Sequence, residues 1–365
     1  MELGKTYLRL LVVFCILIAF LACNAQNKVD LTQKEIEQKS VGKIVTELDA
    51  KATLIYQDKA DNYWFGTKEI GVYKYDGKRL FLFTTKDGLI NHSVISVQED
   101  KAGNLYFDTQ DGVSKFDGQK FTKLEVAEND SSKNEWKSEP DDLWFRIGWD
   151  KKGPYRYDGK NLYHLEFPKN KKEDEFYAKN PNAGFNPYSI YSMYKDSKGN
   201  MWFGTADMGV YRFDGKKVSW MYEKHLMAMP GGGAFGIRSI IEDKDGYIWI
   251  SNSAYKYKIL SDNLKGMEPF PINYKREKGL AKNEKEAEYF MAMVKGKNGD
   301  LWMVNADGVW RNIRKELIRF LVKNGEKDIS IISIHKDNQG DIWIGTQNSG
   351  AYKYNGKTFE KFEIN

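Results

Sequence analysis

The side chains best suited to acid–base or metal chemistry are dispersed along the chain. His92, His164, His225 and His335 lie far apart, none with a second histidine or a carboxylate at ligand spacing in its own segment. No Gly-x-Ser-x-Gly, His-Glu-x-x-His or phosphate-cradling loop occurs, and those chemistries need their groups at fixed spacing. The Asp- and Asn-bearing turns do not make a twelve-residue calcium loop. No cofactor, metal or catalytic set is therefore expected. Recognition chemistry is better represented: Asn91, His92, Trp136, Arg146, Trp149, Phe185, Asn186, Asp207, Arg238, Asn305, Asp307 and Asn348. Rings beside amide and charged groups can stack on a sugar and hydrogen-bond its hydroxyls. The competing reading is that the rings pack loops and the amides cap turns, since ligand sites are few per protein.

A repeat supplies the elements that would position these groups. Asp58, Trp64-Phe65-Gly66-Thr67 and Gly71 to Gly77 return as Asp196, Trp202-Phe203-Gly204-Thr205 and Gly209 to Gly215. They return again as Asp337, Trp343-Ile344-Gly345-Thr346 and Tyr352 to Gly356. Weaker copies place the central aromatic at Tyr106, Trp144, Trp249 and Trp302, giving steps of 42, 38, 58, 47, 53 and 41 residues. That is the length of a four-stranded propeller blade with insertions. The fold expected is all-β, a seven-bladed β-propeller of four-stranded antiparallel blades. Blade three is the weakest, because its first strand must fit within 134–139, and without it the count falls to six.

Within a copy, a short apolar run (93–97) precedes strands at 105–109, 112–116 and 120–126. First strands apolar on both faces suit burial between neighbouring blades. Asp-x-x-Gly closes the first hairpin, and Asp-Gly closes the third. Four residues before the turn Asp stands a small residue, Ser96, Ser192, Ser239 or Ser333, with Ala292 in the copy lacking that Asp. Crowding where the innermost strands converge would demand it, although blade one has Leu54 there. The Trp series is expected to fill the space between blades.

Trp-[Phe/Ile]-Gly-Thr followed by Gly-Val-Tyr-x-[Tyr/Phe]-Asp-Gly, with Asp-x-x-Gly ahead, resembles the two-component regulator propeller repeat. Asp87-Gly88-Leu89-Ile90-Asn91-His92-Ser93-Val94 is similar to that family's connector. The resemblance implies a propeller like those forming the periplasmic sensing part of hybrid histidine kinases in Gram-negative bacteria, commonly tied to glycan sensing. No kinase, receiver or DNA-binding region is legible, so a standalone lipoprotein-type member is expected.

Strand parity puts the Asp-x-x-Gly and Asp-Gly turns on one face and the Gly-Thr-x-x-x-Gly loops and blade connectors on the other. The insertions 127–140, 168–187, 224–235 and 258–289 are assigned to those connectors. Variable loops over a rigid scaffold are where binding groups gather, so the loop-rich rim is the expected binding face. The mixed-charge run 169–175 reads as a solvated loop.

At the start, Lys5 and Arg9 precede an apolar stretch, 10–22, that is too short for a membrane span. Phe20-Leu21-Ala22-Cys23 resembles a lipobox, with Phe20 in place of Leu or Val; cleavage after Ala25 would instead release a soluble chain. Residues 1–22 are thus read as a signal peptide, Cys23 as the lipid acceptor, 23–52 as a tether and 53–365 as the propeller. The tether leaves room for one short helix or a strand that helps close the ring. Removing 1–22 leaves 54 basic against 50 acidic residues, too even a balance for a nucleic-acid surface. Apart from Cys23 the mature chain has no thiol, so it must be held by its core. No acidic cluster follows Cys23, which favours the periplasm-facing side of the outer membrane. The leading expectation is an envelope recognition module for a glycan or partner protein. A propeller-fold lyase or hydrolase using His92 and Arg238, or a structural adaptor in an envelope complex, are the alternatives.

Overall fold

The computed structural model describes residues 42–127, 136–260, 269–314, 316–325 and 327–364. The segment read as a signal peptide, Cys23 and most of the segment read as a tether lie outside them. Seven antiparallel sheets stand around one axis. Blade one contains Ala52–Gln57, Tyr63–Thr67, Val72–Tyr75 and Leu80–Phe83, with Lys43–Val45 added antiparallel to the last of these. Blade two runs from Val94–Glu99 to Phe121–Lys123, and blade four from Ile190–Lys195 to Val218–Met221. Blade five runs from Ile240–Glu242 to Tyr274–Lys278, blade six from Ala292–Lys295 to Glu316–Phe320, and blade seven from Ile331–Lys336 to Phe359–Lys361.

The apolar side chains resolve into seven clusters, one at each junction between blades. Successive side chains of a strand point to opposite faces, and the second strands use this directly. The repeat's aromatic faces the following blade, while the residue after it faces the preceding one. Trp64 meets Phe107 at 5.3 Å between ring centroids, Tyr106 meets Phe145 at 6.2 Å, and Trp144 meets Phe203 at 5.6 Å. Trp343 meets Phe65 at 6.3 Å, which brings the seventh blade back onto the first. Four of the indoles also have a polar anchor. The Nε1 groups of Trp64, Trp202, Trp249 and Trp343 donate to Asp58, Asp196, Asp243 and Asp337 at 2.7–2.8 Å. The turn aspartates therefore hold both the backbone of the turn and the ring behind it.

Among the described residues no strand is shared across the seam between blades seven and one. One backbone bond, from the Gly350 N–H to the Ala50 carbonyl at 2.7 Å, and several side chains make it instead. Tyr63 Oη donates to Asp337 at 2.8 Å, the Gln57 N–H donates to His335 Nε2 at 3.3 Å, and Asn338 Nδ2 donates to the Asp58 carbonyl at 3.0 Å.

Blade three departs from the expected pattern. Its strands are Leu143–Phe145, Tyr155–Tyr157 and Leu162–His164. Residues 136–139 form no strand, and 134–135 lie outside the described residues. Side chains of blade two occupy the vacant inner edge. Gln98 bonds both the N–H and the carbonyl of Trp144, and Asp108 accepts the N–H groups of Arg146 and Ile147, each at 3.1 Å. The blade has no turn Asp, and its Trp144 Nε1 is buried without a partner.

Two loop assignments also change. The insertion assigned to 258–289 divides, because blade five's fourth strand is Tyr274–Lys278. Residues 260–273 thus fall between third and fourth strand, with 261–268 outside the described residues, and only 279–289 is a connector. Phe270–Pro271 runs parallel along the outer strand of blade four. The run 169–175 is not all loop: Glu173–Lys179 is an α-helix anchored by buried Phe176, with three acidic residues in its first turn favoured there by the helix dipole.

Candidate functional site

The first strands build the site through a repeated irregularity. Their pairing with the second strands slips between Ala52 and Leu54, Val94 and Ser96, Ile190 and Ser192, and Ile331 and Ser333. A bulge of this kind re-aims the extra residue's side chain. The extra residues Thr53, Ile95, Tyr191 and Ile332 all line one axial funnel. Arg238 and Met291, which precede Ser239 and Ala292, join them at the same repeat position. The small residue after each does more than relieve crowding. Ser192 and Ser239 donate their hydroxyls to the carbonyls of Ile237 and Phe290 in the next blade, at 2.7 and 2.9 Å.

The funnel holds about 410 Å³ and takes residues from all seven blades. It opens on the loop-rich face, beside Lys68 and Ser93. Blade three contributes Arg146 and Trp149 instead of an inner strand. Arg146 donates from Nη1 to the Tyr191 carbonyl at 3.2 Å, and its guanidinium lies 4.0 Å from the Trp149 ring centroid. Arg238 donates from Nε to the Phe235 carbonyl at 2.8 Å and sits 4.7 Å from the Tyr191 ring. Burial brings Arg146 down to about 10, with Asp108 opposing and Arg238 adding to the fall. Burial also lowers Arg238. Both remain cations at neutral pH.

Trp149 is held over the opening by a bent segment. Ile147 has φ +49° and Gly148 φ +74°, and for a β-branched residue that conformation is strained. Asp108 accepts the Ile147 N–H, the Ile147 side chain is buried, and Ser189 Oγ donates to the Trp149 carbonyl. Trp149 itself stays 42% exposed. Strain kept in place by surrounding bonds is common at ligand sites.

Of the residues expected to bind, Arg146, Trp149 and Arg238 come together here. The others do not join them. Asn91 donates to Asp111 at 2.6 Å and accepts the Ser93 N–H, while His92 Nε2 is 3.1 Å from Thr85 Oγ1. Trp136 packs between blades three and four against Trp144, Phe167 and Phe213. Phe185 lies against Phe176 and is largely exposed. Asn186 accepts the Tyr188 N–H. Asp207 lies beside helix Glu173–Lys179, its carboxyl raised by burial. Asn305 donates to Glu288 and accepts the Asp307 N–H. Asn348 is exposed on the rim. Tyr191, Lys68 and Asp108 were not foreseen; Asp108 and Arg146 both replace the glycine that follows the central aromatic by two residues in blades one, four and seven.

Two other regions carry polar groups. His225 is not isolated: its Nε2 is 3.2 Å from Glu223, which also takes hydrogen bonds from Tyr257, Tyr274 and Arg276. This His–Tyr–Arg set is closed on one carboxylate and ties the 222–236 connector to blade five. A cleft of about 920 Å³ opens on the short-turn face around blades six, seven and one. Among its charges, Arg311 is paired with Asp300 and Lys353 with Asp341. Among the described residues no cluster of three metal-ligating side chains occurs, and no helix is long and apolar enough to cross a membrane.

The fold and its axial site define a seven-bladed propeller with a funnel on the connector face. Residues 184–207, 236–254 and 325–348 match the two component regulator propeller repeat. No curated protein sequence matches the chain. Among solved structures it is similar to the extracellular domain of the BT3049 hybrid two component system from B. thetaiotaomicron. The two are 20% identical, with a TM-score of 0.58 over 85% of this chain and 39% of that one. Virginiamycin B lyase from Staphylococcus aureus is 13% identical, TM-score 0.57, over 85% and 98% of the respective chains. PorZ, a surface component of the type-IX secretion system of Porphyromonas gingivalis, is 15% identical, TM-score 0.56, over 84% and 46%. At these identities the likeness is one of fold. The chain spans about two-fifths of the length of the B. thetaiotaomicron extracellular domain.

Proposed function

We propose that the protein is a recognition module of the cell envelope, sensor-like in architecture, that binds a glycan in the axial funnel. The convergence of Arg146, Trp149, Tyr191 and Arg238 from three blades on one opening carries this reading. An aromatic platform with directed N–H donors is what a sugar ring and its substituents require. The likeness to an extracellular domain of a two component system supports a sensing role, and a propeller fold alone does not assign one. In the same reading the chain is exported and held through a lipid on Cys23, facing the periplasm from the outer membrane.

Calorimetric titration of the purified protein against a glycan panel tests the binding role. Saturable heat, lost on Trp149→Ala, is the expected result. Silence across the panel, with the intact protein instead pulling down an envelope protein, would transfer the role to an adaptor. Turnover of a polysaccharide would make it an enzyme. Labelling with a radioactive fatty acid, abolished by Cys23→Ala, tests the anchor.

A further inference from the structure

The arginines at the funnel differ from two others that the fold buries beside a carboxylate. Arg156 is paired with Asp142 and Arg311 with Asp300. Arg146 and Arg238 form no ion pair with any described residue, and the Arg238 charge is near enough to lower Arg146. Lys68 adds a third positive group, and no aspartate or glutamate lines the opening. Asp108 lies behind Arg146, where its charge favours that cation without an ion pair, and it accepts two backbone N–H groups and the Ser96 hydroxyl. A guanidinium has five N–H donors. One from Arg146 and one from Arg238 are used on carbonyls, at Tyr191 and Phe235, leaving most of both forks for a ligand.

Two partly desolvated cations held side by side are unfavourable unless an anion comes between them. Fork-shaped donors suit a flat or tetrahedral oxyanion, which they can bind at two points. Beside them Trp149 offers an exposed ring, backed on one face by Arg146. The rest of the wall mixes apolar Leu54, Ile95 and Met291 with the hydroxyl-bearing Thr53, Ser93 and Ser333. Its volume of about 410 Å³ suits a short saccharide segment and not a folded protein surface.

We infer that the funnel takes an acidic oligosaccharide, whose carboxylate or sulfate sits between Arg146 and Arg238 while a sugar ring lies on Trp149. This rests on the proposed glycan role and narrows it to anionic sugars. Charge would dominate selection: a neutral sugar of the same shape leaves two cations unpaired, so the site discriminates by what it lacks.

The test titrates the full-length protein with three probes of matched length: an oligogalacturonide, a sulfated galactan oligosaccharide and a neutral xylo-oligosaccharide. Binding of one or both acidic probes, at least tenfold tighter than the neutral one and weakening with salt, is expected. Arg238→Met should lower that affinity at least tenfold and Arg238→Lys should recover part of it, with the urea midpoint unchanged in both. Carboxyl reduction of the first probe and desulfation of the second tell which anion is read. Equal binding of all three, or acidic binding that survives both Arg238→Met and Trp149→Ala, overturns this inference and leaves glycan recognition standing. No binding by any probe removes both.

Discussion

Asp108 and Arg146 occupy the same position in consecutive repeats, and the carboxylate of the first accepts the backbone N–H of the second at 3.1 Å. In blades one, four and seven that position is glycine, because the neighbouring blade's inner strand runs over it. A Cβ added at Gly345 would lie 3.0 Å from the Thr53 backbone, and one at Gly66 would lie 3.2 Å from Val94 Cβ. Blade three has no inner strand to run over Asp108, so a side chain fits there and takes over part of the absent strand's hydrogen bonding.

Asp108→Ala should therefore be far more damaging than its small change in volume suggests. It strands two buried N–H groups, and the expected cost is about 2–4 kcal/mol in urea unfolding at neutral pH. Trp149, whose loop Asp108 holds through Ile147, should show an altered near-ultraviolet signal in the same variant.

The pH dependence should contain two opposed contributions. Burial pushes Asp108 up to about 6 from 3.8, with Arg146 opposing. Between those values the folded protein holds a proton that the unfolded chain has released. Stability gained below pH 4 is thus lost as pH rises through about 6, a change of at most about 3 kcal/mol. His335, whose neutral ring accepts the Gln57 N–H, is pushed down to about 4 by burial, against the pull of Asp337. Its contribution is present above pH 6.5 and lost as pH falls through 4. Relative to wild type, Asp108→Asn should lose more stability on acidification from pH 7 to 4.5, and His335→Gln less. Urea midpoints at the two pH values check both signs.

The seam should depend heavily on Asp337. That carboxylate accepts Tyr63 Oη and Trp343 Nε1 at 2.8 Å each and the Asp341 N–H at 2.7 Å. Asp337→Ala should cost about 3 kcal/mol or more. Amide exchange should quicken in blades one and seven together. In Asp243→Ala, where Trp249 is held within a single blade, the quickening should stay near blade five.

Close approach makes a fourth prediction. A methyl at Gly204 would collide with Ile237 of the next blade and with the Ser192 hydroxyl. Gly204→Ala should destabilise by about 1–3 kcal/mol through overpacking, seen as a lowered urea midpoint with little change in slope.

The ring was legible because its period is written in large side chains. A Trp or Tyr facing forward and its successor facing back, as with Trp64 and Phe65, is a local alternation repeated seven times. The absent inner strand was half legible: the crowded 134–139 segment pointed to it, but Asp108 and Arg146 in place of glycine were not read as compensation. Funnel residues such as Tyr191 were missed because a bulge adds one residue and breaks the alternation from which facing is inferred. Asn91 and Asn305 were ambiguous for another reason. An amide that caps a turn and one that binds a ligand have the same chemistry, and only their neighbours in space separate them.

Every blade is a contiguous stretch of chain, and the first meets the last without sharing a strand. Cutting the polypeptide between two other blades and linking residue 364 to residue 42 would leave all seven sheets whole. The circle has no privileged starting point, so a permuted gene beginning at blade four should encode the same funnel in a different reading order.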